Sequence, residues 1–247
     1  MTDHRTEELA QNLAAVRGRI ARAAAQAGRG EEPELIVVTK HFPAEDVARL
    51  YELGVREIGE NKDQEASAKA EEAAALLRAR HGGAYDADPL RWHFIGQLQS
   101  NKARSVVRYA AAMHSLDRPS LLKALKKAAA DRTDPLSCLI QVDLREEIPE
   151  EDRRGGASPQ EVPRLAEGLA GAEGLRLAGL MAVAPLGEPA GPAFGRLAGL
   201  HRDLLADHPG AQMLSAGMSG DLEEAVAHGA THLRVGRDVL GRRPYPR

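Results

Sequence analysis

A chain of 247 residues with 43% hydrophobic content holds enough apolar material for one large α/β core or two small ones. Its 33 basic and 36 acidic residues nearly cancel, leaving a formal charge of −3 with no long block of either sign, which argues against nucleic acid or an anionic membrane as the main partner. No apolar run approaches the ~20 residues of a membrane helix, the polar opening does not read as a secretory signal, and the single Cys138 excludes an intramolecular disulfide and a multi-cysteine metal site, so the expected location is the cytoplasm.

Residues 6–28 carry Leu9, Leu13, Val16 and Ile20 at spacings of four and three, the pattern of an amphipathic helix closed by Gly28 and expected to cover one end or side of the fold. Residues 35–40, Leu-Ile-Val-Val-Thr-Lys, read as a buried first strand whose last side chain is an amine, ended by Pro43. Strand alternation places Ile36, Val38 and Lys40 on one face, so if that face lines a barrel the amine stands at its mouth. A helix over 43–54, a strand over 56–61 and a long Ala/Glu/Lys helix to about residue 81 follow, with a polar, mobile loop expected at 82–89.

Strands at 91–96 and 112–117 alternate with helices at 97–109 and 118–131, and the fifth strand, 137–143, contains Cys138 as a small buried hydrophobe. Residues 144–157 form the longest irregular stretch and the best candidate for disorder. Ser158 and Pro159 then open a helix as cap and first-turn proline. Strands at 175–183, 212–217 and 231–236, with helices at 192–207 and 220–228, complete the pattern.

Eight strands alternating with helices over nearly the whole chain fit an α/β fold consisting of a single (β/α)₈ TIM barrel with an extra N-terminal helix, the helix within 1–30 and the barrel over 34–241, forming one domain of 1–247. A doubly wound sheet would need a glycine-rich turn after the first strand, where His41-Phe42-Pro43 stands instead.

Sites in such barrels form at the carboxyl ends of strands, and phosphate is commonly held by the loops after strands seven and eight. Here those loops contain Ser215-Ala-Gly-Met-Ser219-Gly220 and Arg234-Val-Gly236-Arg237. Small residues admit an anion to backbone N–H groups, and Ser215 and Ser219 add hydroxyls. A purely structural account makes Ser219 a helix cap. Arg234 shares the inward face with His232 and Gly236, where a guanidinium needs an acceptor: a bound ligand, or an inward carboxylate such as Glu57 or Asp143. An amine on strand one, an arginine on strand eight and a phosphate cradle beside it suggest pyridoxal 5′-phosphate (PLP), with Lys40 as a surface lysine the plain alternative. Lys102 is read either as steering anions to the mouth or as a solvated helix lysine, and His93 as a hydrogen-bonded core residue.

The segments Leu35–Lys40, Glu57–Asn61, Trp92–Lys102, His114–Asp117, Gly179–Met181, Leu214–Ser219 and Arg234–Gly236 together resemble the pyridoxal-phosphate homeostasis protein family, itself similar to the amino-terminal barrel of alanine racemase, known as fold type III. The resemblance covers the chain from the first helix to Gly241. It implies that Lys40 holds PLP as a Schiff base and that Arg234 faces the pyridine nitrogen. It further implies that Ser215, Ser219, Gly236 and the amide of Arg237 line the phosphate, with Asn61 and Met181 near the ring. Arg237 stands where the family usually has a small hydroxyl residue, Ala216 replaces a common methionine, and residues 150–156 lack the lysine-containing loop of many relatives.

Racemisation needs proton donors on both faces of a carbanion, and alanine racemase takes one of them from a tyrosine of a second domain across a dimer. None of Tyr51, Tyr85, Tyr109 and Tyr245 has a strand-end placement. An arginine opposite the pyridine nitrogen also keeps that nitrogen unprotonated and the ring a poor electron sink. The expectation is therefore a monomeric PLP carrier in vitamin B6 homeostasis, without catalytic turnover and with apo PLP-dependent enzymes as recipients. The alternatives are a small PLP-dependent amino-acid racemase or lyase, and a barrel for another phosphate metabolite or a protein partner.

Overall fold

The computed structural model describes residues 3–145 and 155–242. The strands are β1 (Glu34–Val38), β2 (Glu57–Glu60), β3 (Arg91–Phe94), β4 (Ala110–Leu116), β5 (Leu136–Gln141), β6 (Leu175–Met181), β7 (Met213–Ser215) and β8 (His232–Val235). They pair in parallel, in sequence order, and close on themselves through β1 and β8, where Ile36 lies opposite Arg234. This is a TIM barrel. Its closure removes the exposed edges that an open sheet leaves to other chains.

Seven helices follow β1 to β7 as the outer layer: α2 (Ala44–Glu52), α3 (Asp63–His81), α5 (Ala103–Tyr109), α6 (Pro119–Ala129), α7 (Val162–Ala170), α8 (Ala190–Asp207) and α9 (Leu222–Ala227). Among the described residues β8 is followed only by the four-residue α10 (Arg237–Leu240), which the sequence pattern did not reveal. The long N-terminal α1 (His4–Gln26) packs against α9, α10 and α2, so it fills the place in the ring that a helix after β8 would take. Its Leu9, Leu13, Val16 and Ile20 are all buried, and Asp3 caps it by accepting from the Thr6 N–H.

Residues 82–89, expected as a mobile polar loop, contain a fourth short helix, α4 (Gly83–Ala87). The cause is Tyr85, a buried aromatic inside a polar run, which packs edge-on to Tyr51 with ring centroids 5.5 Å apart. Ser158 makes the expected cap, with Glu161 completing a capping box. Most of the irregular 144–157 stretch, residues 146–154, lies outside the described residues, but Ala157 bridges to Val142 beside β5. Cys138 is fully buried, and burial pushes its thiol up to about 12, consistent with a packing role. Among the described residues no helix is long and apolar enough to cross a membrane.

The main core lies between barrel and helices, and a smaller cluster of Leu139, Ala178 and Met181, with Met213 against it, is separate from it. The barrel interior also carries buried polar side chains, including Glu57, His93, His114, Ser215 and Arg234.

Candidate functional site

β1 ends at Val38, two residues before the amine. The Phe42 N–H bonds back to the Thr39 carbonyl, and His41 takes a left-handed conformation, φ 71°, to complete this tight turn around Lys40. Three side chains hold the turn. The His41 N–H donates to Glu65 Oε1 at 2.7 Å, the Thr39 hydroxyl donates to Glu60 Oε1 at 2.7 Å, and Lys69 Nζ donates to the Thr39 carbonyl at 2.9 Å. Lys69 is itself buried and pairs with Glu60 at 2.6 Å and with Glu65 at 3.3 Å. Burial is the main influence on Glu60 and raises its carboxyl pKa despite the lysine. The sequence reading did not single out Lys69; its one local signal was Glu65, four residues earlier on the same helix.

Lys40, Ser219, Arg234, Gly236 and Arg237 line one cavity of about 660 Å³, together with Val38, Phe42, Ile95 and Gly220. Three strand ends thus converge on one space. Arg234 is 4% exposed and makes two hydrogen bonds, from Nη1 to Ser215 Oγ at 2.6 Å and from Nη2 to the Ala182 carbonyl at 2.8 Å. The carboxylates that might have neutralised it are engaged elsewhere. Glu57 bonds to Arg91 and His93, and Asp143 to Arg145. Among the described residues Arg234 therefore has no ion-pair partner. Burial lowers its guanidinium to about 10, with a weaker opposing pull from Asp221, so it stays charged at neutral pH.

Ser219 is not the helix cap. Asp221 takes that position before α9, and its carboxylate accepts the Met218 N–H at 2.6 Å. The backbone N–H groups of Ser219, Gly220 and Arg237 donate to no protein acceptor among the described residues. At Gly236 an added Cβ would stand 3.0 Å from the Val38 carbonyl oxygen, so glycine keeps this wall of the cavity open. Gly217 has φ +89°, and its carbonyl accepts the Arg234 N–H at 3.0 Å, stitching the β7 loop to β8. From outside, Arg19 of α1 binds the Ser219 carbonyl at 3.0 Å, Asp238 at 2.8 Å and Glu223 at 2.9 Å, fastening both loops to one helix.

The remaining expected residues lie elsewhere. Ser215 is fully buried beneath Arg234 and reaches the cavity only through it. Met181 belongs to the apolar cluster with Leu139 and Ala178. Asn61 lines a neighbouring cavity of about 560 Å³ with Lys62, Phe94, Gln97 and Lys102. Lys102 is exposed there, and His93 is buried inside the barrel. Among the described residues no tyrosine lines the Lys40 cavity.

The donor set suits a small anionic ligand: N–H groups unengaged among the described residues, a serine hydroxyl, a buried cation lacking a carboxylate, and an amine. Comparison with known proteins agrees in scale. Residues 11–244 match the family described as alanine racemase, N-terminal domain. The pyridoxal phosphate homeostasis protein of Mycobacterium leprae is 42% identical over 247 residues, covering 96% of this chain and 93% of that protein. PipY of Synechococcus elongatus PCC7942, solved with PLP bound, superposes with a TM-score of 0.75 at 31% identity, covering 94% of this chain and all of that one. An unknown protein from Bifidobacterium adolescentis superposes with a TM-score of 0.86 at 31% identity, covering 97% of each chain.

Proposed function

Because the chain belongs to the alanine racemase N-terminal-domain family, we propose that it binds PLP covalently through Lys40 and serves PLP homeostasis as a carrier. The observation that carries this reading is the buried Arg234, which has no carboxylate partner among the described residues and lines one cavity with Lys40 and Ser219. A guanidinium so desolvated is stabilised by an acceptor supplied from outside the chain. The pyridine nitrogen meets that need, and a protonated nitrogen would be repelled.

Lys40 would supply the amine that holds the aldehyde of PLP, with release of one water. Ser219 and the N–H groups of Ser219, Gly220 and Arg237 hold the phosphate, and the Arg237 guanidinium adds charge at that end. Bound PLP supplies an electron-accepting ring, but Arg234 holds its nitrogen unprotonated and weakens that capacity. No tyrosine stands on the described cavity wall as the second proton donor that racemisation in the alanine racemase manner needs. Both points favour holding and release to apo-enzymes over turnover.

The test is the visible spectrum of the purified protein with added PLP, followed by borohydride reduction and peptide mass spectrometry. The expected result is a bound-cofactor band and a reduced adduct on Lys40, both lost in Lys40→Ala. Adduct on another lysine, or none, overturns the reading. Exchange of solvent deuterium for the α-hydrogen of any common amino acid in heavy water would favour a racemase or lyase instead.

A further inference from the structure

Arg234 is one end of a hydrogen-bonded chain that crosses the barrel. Ser215 Oγ lies 3.0 Å from His114 Nδ1, His114 Nε2 lies 2.8 Å from His93 Nδ1, and His93 Nε2 lies 2.5 Å from Glu57 Oε2. Glu57 and Arg91, the residues that open β2 and β3, form the far end, at the amino-terminal rim. Every link is buried: Ser215 and His114 are 0% exposed, His93 5% and Glu57 6%.

Such a chain has a direction. An ionised carboxylate only accepts, so His93 carries its proton on Nε2 and a neutral His93 offers Nδ1 as acceptor. His114 must then donate from Nε2, leaving Nδ1 to accept the Ser215 hydroxyl proton. With its proton committed, Ser215 presents lone pairs to Arg234 Nη1. The order at the cofactor end is dictated four side chains away.

We propose that Glu57, His93, His114 and Ser215 are positioning residues for the cofactor site, a proton-ordered chain that aligns the Arg234 guanidinium from the opposite end of the barrel. This rests on the reading that Arg234 faces the ring nitrogen. Burial, chiefly, holds His114 well below the ordinary imidazole value, and although burial pushes the Glu57 carboxyl up, its hydrogen bonds to His93 and Arg91 keep it on the ionised side.

One added proton reverses the chain. If His93 is protonated on both nitrogens, it donates to His114 Nε2, and His114 then donates from Nδ1 to a Ser215 that already accepts from Arg234. The Ser215 proton must turn away, and the grip on Arg234 weakens. The groups around His93 that set this event are Glu57 of β2, Arg91 of its own strand, His114 of β4, Asp134 before β5, Arg176 of β6 and His232 of β8; apart from His114, they line a cavity of about 270 Å³ at the amino-terminal end.

The experiment uses the full chain carrying isotope-labelled histidine, first without PLP, so it does not depend on cofactor binding. Long-range proton–nitrogen correlation reads the two tautomers, assigned by replacing His93 and His114 in turn with Gln. The expected wild-type result at neutral pH is Nε2–H on both rings; Nδ1–H on either overturns the proposal without touching the PLP reading. Glu57→Gln, whose amide both donates and accepts, is expected to mix the tautomers, weaken PLP affinity roughly tenfold and alter the bound-cofactor band, although it lies at the other end of the barrel. Unchanged tautomers and unchanged affinity in a folded Glu57→Gln protein overturn it. If the variant does not fold, the wild-type tautomers still decide.

Discussion

At the scale of single residues, Arg234 separates a structural from a functional role. Replacing an ion that has no charged partner with an apolar chain of similar length removes a desolvation penalty but leaves the Ala182 carbonyl without its donor. For Arg234→Met these effects oppose each other, so we expect a stability change under about 2 kcal/mol by denaturant titration, alongside a loss of PLP affinity of about 10- to 100-fold. A large stability loss with unchanged affinity would make Arg234 a scaffold residue. Strand alternation made Arg234 legible as an inward residue of β8, because side-chain direction in a strand needs only a period of two, whereas Lys40 and Gly236 lie past the ends of β1 and β8 and line the cavity from the turns that follow. What the residue pattern left open was the partner of Arg234. That depended on Arg91 and Arg145 claiming Glu57 and Asp143, contacts set in three dimensions. The buried histidines give a pH dependence at this same scale. His114 and His232 have pKa values held low by burial, His232 at about 4, so the unfolded chain binds protons that the folded one refuses. Their contribution is complete above about pH 6.5 and is lost as pH falls below it, at up to about 1.4 kcal/mol per pH unit for each. Thermal melts between neutral pH and pH 4 should show the decline, and His232→Gln should flatten it.

At the scale of elements, the turn after β1 is held by α3 rather than by its own sequence. Lys69 neutralises Glu60, a fully buried carboxylate whose Oε2 already lacks a partner among the described residues, and it also ties down the Thr39 carbonyl. Lys69→Met strands that charge, for which we expect a loss of about 3–5 kcal/mol and weaker PLP retention as the Lys40 turn loosens. The double variant Lys69→Met with Glu60→Gln should recover most of the stability, since the fully buried charge is gone and only the partly exposed Glu65 loses its partner, but less of the affinity, since the Thr39 carbonyl still lacks its donor. Chemical denaturation and equilibrium dialysis of both proteins check the two parts. The sequence concealed this arrangement for a physical reason. Glu57 reads as an inward carboxylate, but Glu60 reads as an ordinary strand charge, and only the closed barrel shows it buried against Lys69 of α3. Short helices were also hard to read: α4 and α10 have five and four residues, too few for a helical hydrophobic period to register.

At the scale of the whole molecule, the first and last described elements complete the same side of the barrel. α1 was legible as an amphipathic helix, but its docking place was not, because its partners α9 and α10 come more than 190 residues later. There it seals the layer left open after β8. Asn12 binds the Val239 carbonyl at 3.0 Å, Arg5 binds the Leu240 carbonyl at 3.0 Å and Asp46 at 2.7 Å, and Arg19 spans the loops after β7 and β8. Leu9, Leu13, Val16 and Ile20 lose almost all contact with water in the process. At about 1.5–3 kcal/mol for each large apolar side chain, those four alone supply roughly 6–12 kcal/mol, which is as large as the whole net stability of an ordinary domain. Deleting residues 1–26 should therefore do more than open a lid. We expect the shortened chain to lose its cooperative thermal transition, bind a hydrophobic dye and fail to retain PLP. Arg19→Ala in the full chain should keep the transition and lower PLP affinity by only a few-fold, because an exposed ion pair contributes about 0.2–1 kcal/mol. A truncated protein that melts cooperatively near the wild-type temperature would show that the barrel stands without its first helix, and α1 would then act only on the two loops that Arg19 joins.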